Sequence, residues 1–169
     1  MAMLTQRPVS LNKDRDFVLD LYCLRGFDEM PAWAQNASYY KYREGWLKTS
    51  APQEFLDELE DSLADERTIA EIWQEDDRPV ALLWVTFSDL YNETVSFAQL
   101  RILAVQMSHQ RRGIGGLMLK RAEEEALARG AASLRSETAT DNAASQAMHG
   151  RQGYKVISYQ YEKVLTAAS

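Results

Sequence analysis

Apolar residues along the chain recur now at a spacing of two, now at three and four, and the alternation predicts strands interleaved with helices. Residues 3–10 read as a first strand, with Pro8 placing it at a sheet edge or a strand end. From Asn12, a candidate N-cap, Phe17, Val18, Leu21 and Leu24 recur at helical spacing until Gly26 supplies a stop. Residues 30–49 crowd Trp33, Tyr39, Tyr40, Tyr42 and Trp46 among polar residues. These aromatics either pack two short helices on the sheet or wall a substrate site. Ser50 and Gln53 stand at capping-box spacing ahead of a helical stripe of Phe55, Leu56, Leu59 and Leu63.

The second half of the pattern is mostly period two. Residues 67–74, 80–87 and 94–105 read as an antiparallel meander, with turns at 76–79 and around 89–92. A glycine-rich stretch at 110–116 follows, then a helix over 117–129 stopped by Gly130. Residues 133–138 predict a strand, 142–152 a short helix, and 154–165 one long strand or a closing hairpin. With no repeat, linker or low-complexity tract, residues 1–169 predict a single domain.

Composition narrows the function. Hydrophobic residues at 46% and charged residues at 26% are ordinary globular values. A formal net charge of -6 argues against a nucleic-acid partner and suits a cationic substrate such as an amine. The single cysteine, Cys23, excludes an internal disulfide and fits a reducing cytoplasm. With no histidine nearby in sequence, it reads as a small buried hydrophobe rather than an acyl-accepting nucleophile. No secretion signal and no bilayer-length apolar run is present, so a cytoplasmic protein without a membrane partner is expected. His109, His149 and Cys23 lack metal-ligand spacing, so no metal is expected. Monomer and homodimer both remain open.

The stretch Gln110-Arg111-Arg112-Gly113-Ile114-Gly115-Gly116 carries the strongest chemistry. A glycine-rich turn from a strand into a helix presents unpaired backbone N–H groups where the helix dipole adds positive potential. Two arginines add charge, and the glycines keep side chains out of the way. The result reads as a pyrophosphate cradle. Neither the nucleotide P-loop nor the dinucleotide fingerprint fits: Lys120 lies too far along, and Met118 fills the third glycine position.

Q-x-x-G-x-G after a strand resembles the acyl-CoA signature of the GCN5-related N-acetyltransferase (GNAT) superfamily. Asn142, Ser145, His149, Gly153 and Tyr154 stand at the spacing of that family's second motif, with serine for alanine and histidine for tyrosine. The resemblance implies a mixed α/β fold, a twisted sheet of about seven strands flanked by about four helices, with a splayed strand pair admitting CoA. It also implies that pantetheine pairs with the backbone of Leu103, Ala104 and Val105, with Asn142 and Ser145 along its arm. The implied reaction is direct transfer of acetyl from acetyl-CoA to a primary amine of a small molecule, a protein N-terminus or a lysine.

That reaction must remove a proton from the ammonium, stabilise an oxyanion and protonate the leaving thiolate. The strand glutamate that serves as base in one branch of the family is Gln99 here, and an amide cannot act as a base. Glu137 matches the base of another branch, working through water; otherwise it is a strand-end carboxylate bonded to a turn. His149 takes the place of the family's acid, unless it only packs beside pantetheine and another residue such as Tyr91 supplies the proton. By period-two alternation Arg101 shares a face with Gln99 and Leu103, where it binds a substrate carboxylate or forms an internal ion pair. The alternative to an enzyme is a catalytically weak CoA-binding sensor or interaction module.

Overall fold

A computed structural model describes residues 3–31, 33–34, 36–90, 95–160 and 163. The chain runs β1 (Leu4–Pro8), α1 (Leu11–Asp28), α2 (Tyr39–Trp46), α3 (Ala51–Ser62), β2 (Ile69–Glu75), β3 (Arg78–Leu90), β4 (Val95–Val105), α4 (Ile114–Ala128), β5 (Leu134–Arg135) and α5 (Ala143–Arg151). The strands form one sheet in sequence order, antiparallel from β1 to β4 and parallel between β4 and β5. The fold is mixed α/β as expected, with five described strands instead of about seven and five helices instead of about four. Residues 154–160 form no strand, and Val156, Ile157 and Tyr159 lie exposed. The rest of the expected closing strand falls outside the described residues, except Lys163. No described helix is long and apolar enough to cross a membrane.

β3 is central, which explains its nearly continuous apolar run. Leu83, Val85 and Phe87 pack with Met118, Leu119 and Ala122 of α4 on one face. Leu82 and Trp84 pack with Val18, Leu21, Phe55 and Leu59 of α1 and α3 on the other. Each fully buried valine, leucine or methionine among them contributes about 1.5–3 kcal/mol of transfer free energy. The β2–β3 turn is Asp76-Asp77, both at positive φ (50° and 63°), a conformation that aspartate tolerates in tight hairpins.

Local signals were redistributed by packing. α1 has Ser10 rather than Asn12 at its N-cap, and Asp14 accepts the Ser10 N–H at 2.8 Å. Arg7 of β1 grips the same buried carboxylate at 2.6 and 2.7 Å, tying strand to helix. Gly26 does not stop α1, which continues to Asp28. A Cβ there would lie 2.9 Å from the Tyr42 hydroxyl, so glycine permits the close approach of α2. Ser50 makes no side-chain cap and Gln53 turns instead to Asp57 at 2.6 Å, so the expected capping box is not formed. The aromatic run packs helices: Tyr39 and Tyr42 meet Phe27, and Trp46 meets Tyr22, which stacks on Phe55 at 4.0 Å.

Two irregularities, one in β4 and one in β5, shape the site. Trp84 pairs with Ile102 and Val85 with Leu100, leaving Arg101 as the extra residue of a β-bulge. Arg101 and Leu103 therefore do not share a face. Leu103 packs towards α4, while the Arg101 guanidinium lies 5.4 Å from the Trp84 ring and pairs with Glu58 of α3. The second irregularity is the brevity of β5, which meets β4 only at Ala98–Leu134 and Gln99–Arg135. The strand expected over 133–138 leaves the sheet after Arg135, and the two chains part.

Candidate active site

A cleft of about 860 Å³ opens where β4 and β5 separate. Leu103, Ala104 and Val105 form one wall; Ser136, Glu137 and the start of α5 form the other. The ends are the 110–116 turn and the C-terminal turn of α1. Gln110 Nε2 donates to the Val105 carbonyl at 3.1 Å, and Arg25 Nη1 to the Arg101 carbonyl at 2.7 Å. Those anchors are four residues apart along β4, so the ends are separated by about 13 Å of strand.

At the turn, Gly113 has φ 84° and occupies the N-cap of α4. A Cβ would meet nothing within 4 Å, so glycine is required by backbone conformation rather than by neighbouring atoms. The first helical bond runs from Leu117 N–H to the Gly113 carbonyl at 3.2 Å. The N–H groups of Ile114, Gly115 and Gly116 thus precede the helical ladder, at the positive end of the dipole. Gly115 has a second role, since a Cβ would lie 3.3 Å from Met148 Sδ and 3.5 Å from Leu103 Cδ2. Gln152 Nε2 donates to the Gly116 carbonyl at 3.0 Å, so both glycines also seat α5 against α4. Arg111, at φ 64°, lines the cleft. Arg112 turns away and forks onto Glu75 at 2.5 and 3.0 Å, holding that carboxyl below its ordinary range.

The far wall is built of side chains. Asn142 caps α5, its Oδ1 accepting the Ser145 N–H at 3.0 Å, and both residues line the cleft. Glu137, exposed, lines it just beyond β5. His149 is half-buried, its ring edge-on to Tyr154 at 5.0 Å between centroids. Its Nδ1 lies 2.8 Å from the Ser145 carbonyl and its Nε2 2.8 Å from Ser136 Oγ. Gln99 pairs with Arg135 in the closed part of the strand pair, outside the cleft lining. Arg101 reaches the cleft, but its guanidinium is engaged by Glu58 and Trp84. Tyr91 lies outside the described residues.

Sequence patterning missed Ser136 on one wall, and Asp28 and Glu29 at one end. Ser136 and Glu137 would face opposite ways in a strand, yet both line the cleft because β5 has already ended. Asp28 ends α1 and Glu29 is its C-cap, more than a hundred residues before α5, and no short motif marks them. Partial burial, and then the charge of Glu29, raise the Asp28 carboxyl above its ordinary pKa. Glu29 itself is paired with Arg25 at 2.7 Å. Cys23 is buried elsewhere, with burial pushing its thiol up, which suits an inert core residue. Among the described residues no group of three or more histidine, cysteine or acidic side chains could hold a metal.

Comparison with known proteins places this geometry. The fold is similar to a GCN5-related N-acetyltransferase from Ralstonia eutropha JMP134, with TM-score 0.71 and 18% identity over 96% of this chain and 99% of that one. It is also similar to an aminoglycoside antibiotic 6'-N-acetyltransferase from Acinetobacter haemolyticus (TM-score 0.62, 21% identity, 95% and 99% covered). A glucosamine-6-phosphate N-acetyltransferase from Arabidopsis thaliana is a third (TM-score 0.66, 11% identity, 97% and 99% covered). No curated protein matches the sequence significantly. The model of the acetyltransferase (GNAT) family matches residues 29–154, spanning the meander, the glycine-rich turn and α5. The chain belongs to the acetyltransferase (GNAT) family and is an enzyme of the acyltransferase class.

Proposed function

We propose that residues 1–169 act as one domain that transfers acetyl from acetyl-CoA to a primary amine of a cationic acceptor. The observation that carries this reading is the polarity of the cleft along β4. One end offers helix N–H groups and Arg111, suited to a pyrophosphate. The other offers Asp28, with Glu137 and Asp141 on the adjoining wall, suited to an ammonium. Between them an extended amide-bearing arm can add to the β4 edge as a short strand would, bringing its thioester beside Glu137 and His149. Asn142 and Ser145 flank that arm. Glu137 serves as base through water, and His149 belongs to the machinery that returns a proton to sulfur. Cys23, unpaired and buried, suits the reducing cytoplasm.

An acceptor with several amines is favoured, because three carboxylates share the walls near the thioester position. The similarity to an aminoglycoside acetyltransferase makes aminoglycosides sensible first probes beside diamines, amino acids and peptide N-termini. Thiol release from acetyl-CoA should rise with a polyamine or an aminoglycoside and fall sharply in Glu137→Gln. A fully active Glu137→Gln would remove that residue as base. CoA binding without amine-stimulated release from any probe would favour a sensor.

A further inference from the structure

We propose that Ser136 is a catalytic residue that carries protons between the reactants and His149, which acts behind it as a positioning and proton-storing partner. This rests on the acetyl-transfer reading. His149 Nδ1 has two neighbours, the Ser145 carbonyl at 2.8 Å and Ser145 Oγ at 3.4 Å, and the nearer one sets the direction. His149 Nδ1 lies 2.8 Å from the Ser145 carbonyl, and a carbonyl can only accept, so Nδ1 holds a proton. In the neutral ring Nε2 is then bare, and at 2.8 Å it accepts the Ser136 hydroxyl proton. The Ser136 oxygen keeps lone pairs for a donor in the cleft. When the ring is charged, Nε2–H donates to Ser136 Oγ, and the hydroxyl is free to point at an acceptor. Protonation of His149 therefore reverses the Ser136 hydroxyl.

The pair is well placed for both proton movements. Ser136 follows β5 immediately, where the cleft opens, and both side chains line it. Tyr154 holds the ring from its side, with interplanar angle 88°. The surrounding charges on the cleft walls are Glu137 and Asp141 from the β5–α5 segment, Arg151 from α5, Asp28, Glu29 and Arg25 from α1, Arg101 from β4 and Arg111 from the turn. His109, preceding that turn, also lines the cleft. Glu123 of α4 lies beside Tyr154 and, after burial, raises the phenol above its ordinary range, so Tyr154 is a poor proton donor.

The balance closes with one stored proton. The acceptor ammonium gives a proton to Ser136 Oγ as the serine's own proton passes to Nε2. The amine lone pair then forms the N–C bond, and the carbonyl π pair moves to oxygen. That pair returns as the C–S bond breaks with its electrons on sulfur. Ser136 protonates the thiolate and is refilled from Nε2, restoring the neutral pair. The second nitrogen proton leaves through water to Glu137, giving amide, thiol and one released proton.

Two measurements test the pair in the intact 169-residue chain. In ¹⁵N NMR of the CoA complex, the neutral His149 imidazole should be the Nδ1–H tautomer, identified by its loss in His149→Ala; an Nε2–H tautomer overturns the relay. In turnover, Ser136→Ala should lower kcat by roughly tenfold to a hundredfold, within the usual scale of acid–base catalysis, with KM for acetyl-CoA unchanged. The high-pH fall of kcat, where the shared proton is lost, should vanish in Ser136→Ala and return in Ser136→Thr. Wild-type rate in Ser136→Ala, or a slower enzyme that keeps the high-pH fall, overturns the proposal while leaving acetyl transfer intact. A wild-type protein that binds CoA but acetylates no amine contradicts the acetyl-transfer reading itself, and the relay with it.

Discussion

The two ends of the cleft are made of different material. The end at α4 is backbone: helix N–H groups, a glycine at φ 84°, and one residue, Arg111, at positive φ. Its parts are contiguous in the chain, so a seven-residue stretch determines it. The opposite end, with the wall that adjoins it, is side chains from α1, the β5–α5 segment and α5, assembled only when the sheet and helices pack. A backbone site tolerates sequence change provided conformation is kept, whereas a side-chain site changes its ligand with each substitution. One end suits an invariant donor, the other a variable acceptor.

The largest expected effect separates the ends through stability. Arg7→Ala would strand the Asp14 carboxylate, which is 2% exposed, and should cost about 3 kcal/mol, read by denaturant unfolding. Burial alone would raise the Asp14 pKa, but the bonds from Arg7 and the Ser10 N–H outweigh it and lower it below the ordinary 3.8. A carboxyl with a depressed folded pKa stabilises the fold above its unfolded value, and that contribution is lost as pH falls through the folded value. Wild type should therefore lose this stabilisation below about pH 4, and Asp14→Asn should flatten that part of the acid profile. Because the pair anchors the start of α1, partial loosening should raise KM for the amine before it affects CoA.

Next in size is His149. His149→Ala should reduce kcat on the order of a hundredfold while leaving CoA affinity within a factor of about two. His149→Tyr should retain activity only so far as a phenol can return a proton to sulfur directly, with the high-pH fall moved upward because a phenol keeps its proton to higher pH than an imidazolium does. Unchanged turnover and pH profile in His149→Ala would show that the thiolate proton comes from elsewhere. The donor end should respond in the opposite way. Gly113→Val places a β-branched residue at φ 84°, with strain of about 1–3 kcal/mol, and should weaken CoA binding roughly tenfold or more without unfolding. The smallest effect sharpens the contrast between neighbours. Arg111→Ala should weaken CoA measurably, whereas Arg112→Ala should only release Glu75 and leave CoA affinity and stability close to wild type.

How much of this was legible follows from the same contrast. The meander, the turn and the helix behind it were readable, since period-two and 3.6-residue patterns report local burial. The β4 bulge was not: inserting Arg101 reverses the face of everything before it, and no residue in 98–104 announces that shift. Gly26 looked like a helix stop because its real constraint, the Tyr42 hydroxyl, comes from another helix. Ser50 and Gln53 had capping-box spacing, yet Gln53 found Asp57 one turn on. Of the site, the turn and α5 were legible as motifs; Ser136 and Asp28 were hidden, because their role depends on where β5 ends and where α1 is laid.

The division of the cleft is tested most directly by calorimetric CoA titration and amine steady-state kinetics on two variants, Gly113→Val and Asp28→Asn. The expected result is a crossed pattern: Gly113→Val loses CoA affinity, while Asp28→Asn binds CoA like wild type but shows a severalfold higher KM for a polyamine acceptor. Wild-type CoA affinity in a folded Gly113→Val, or an Asp28→Asn enzyme with weakened CoA and an unchanged amine KM, would contradict the assignment of donor and acceptor ends.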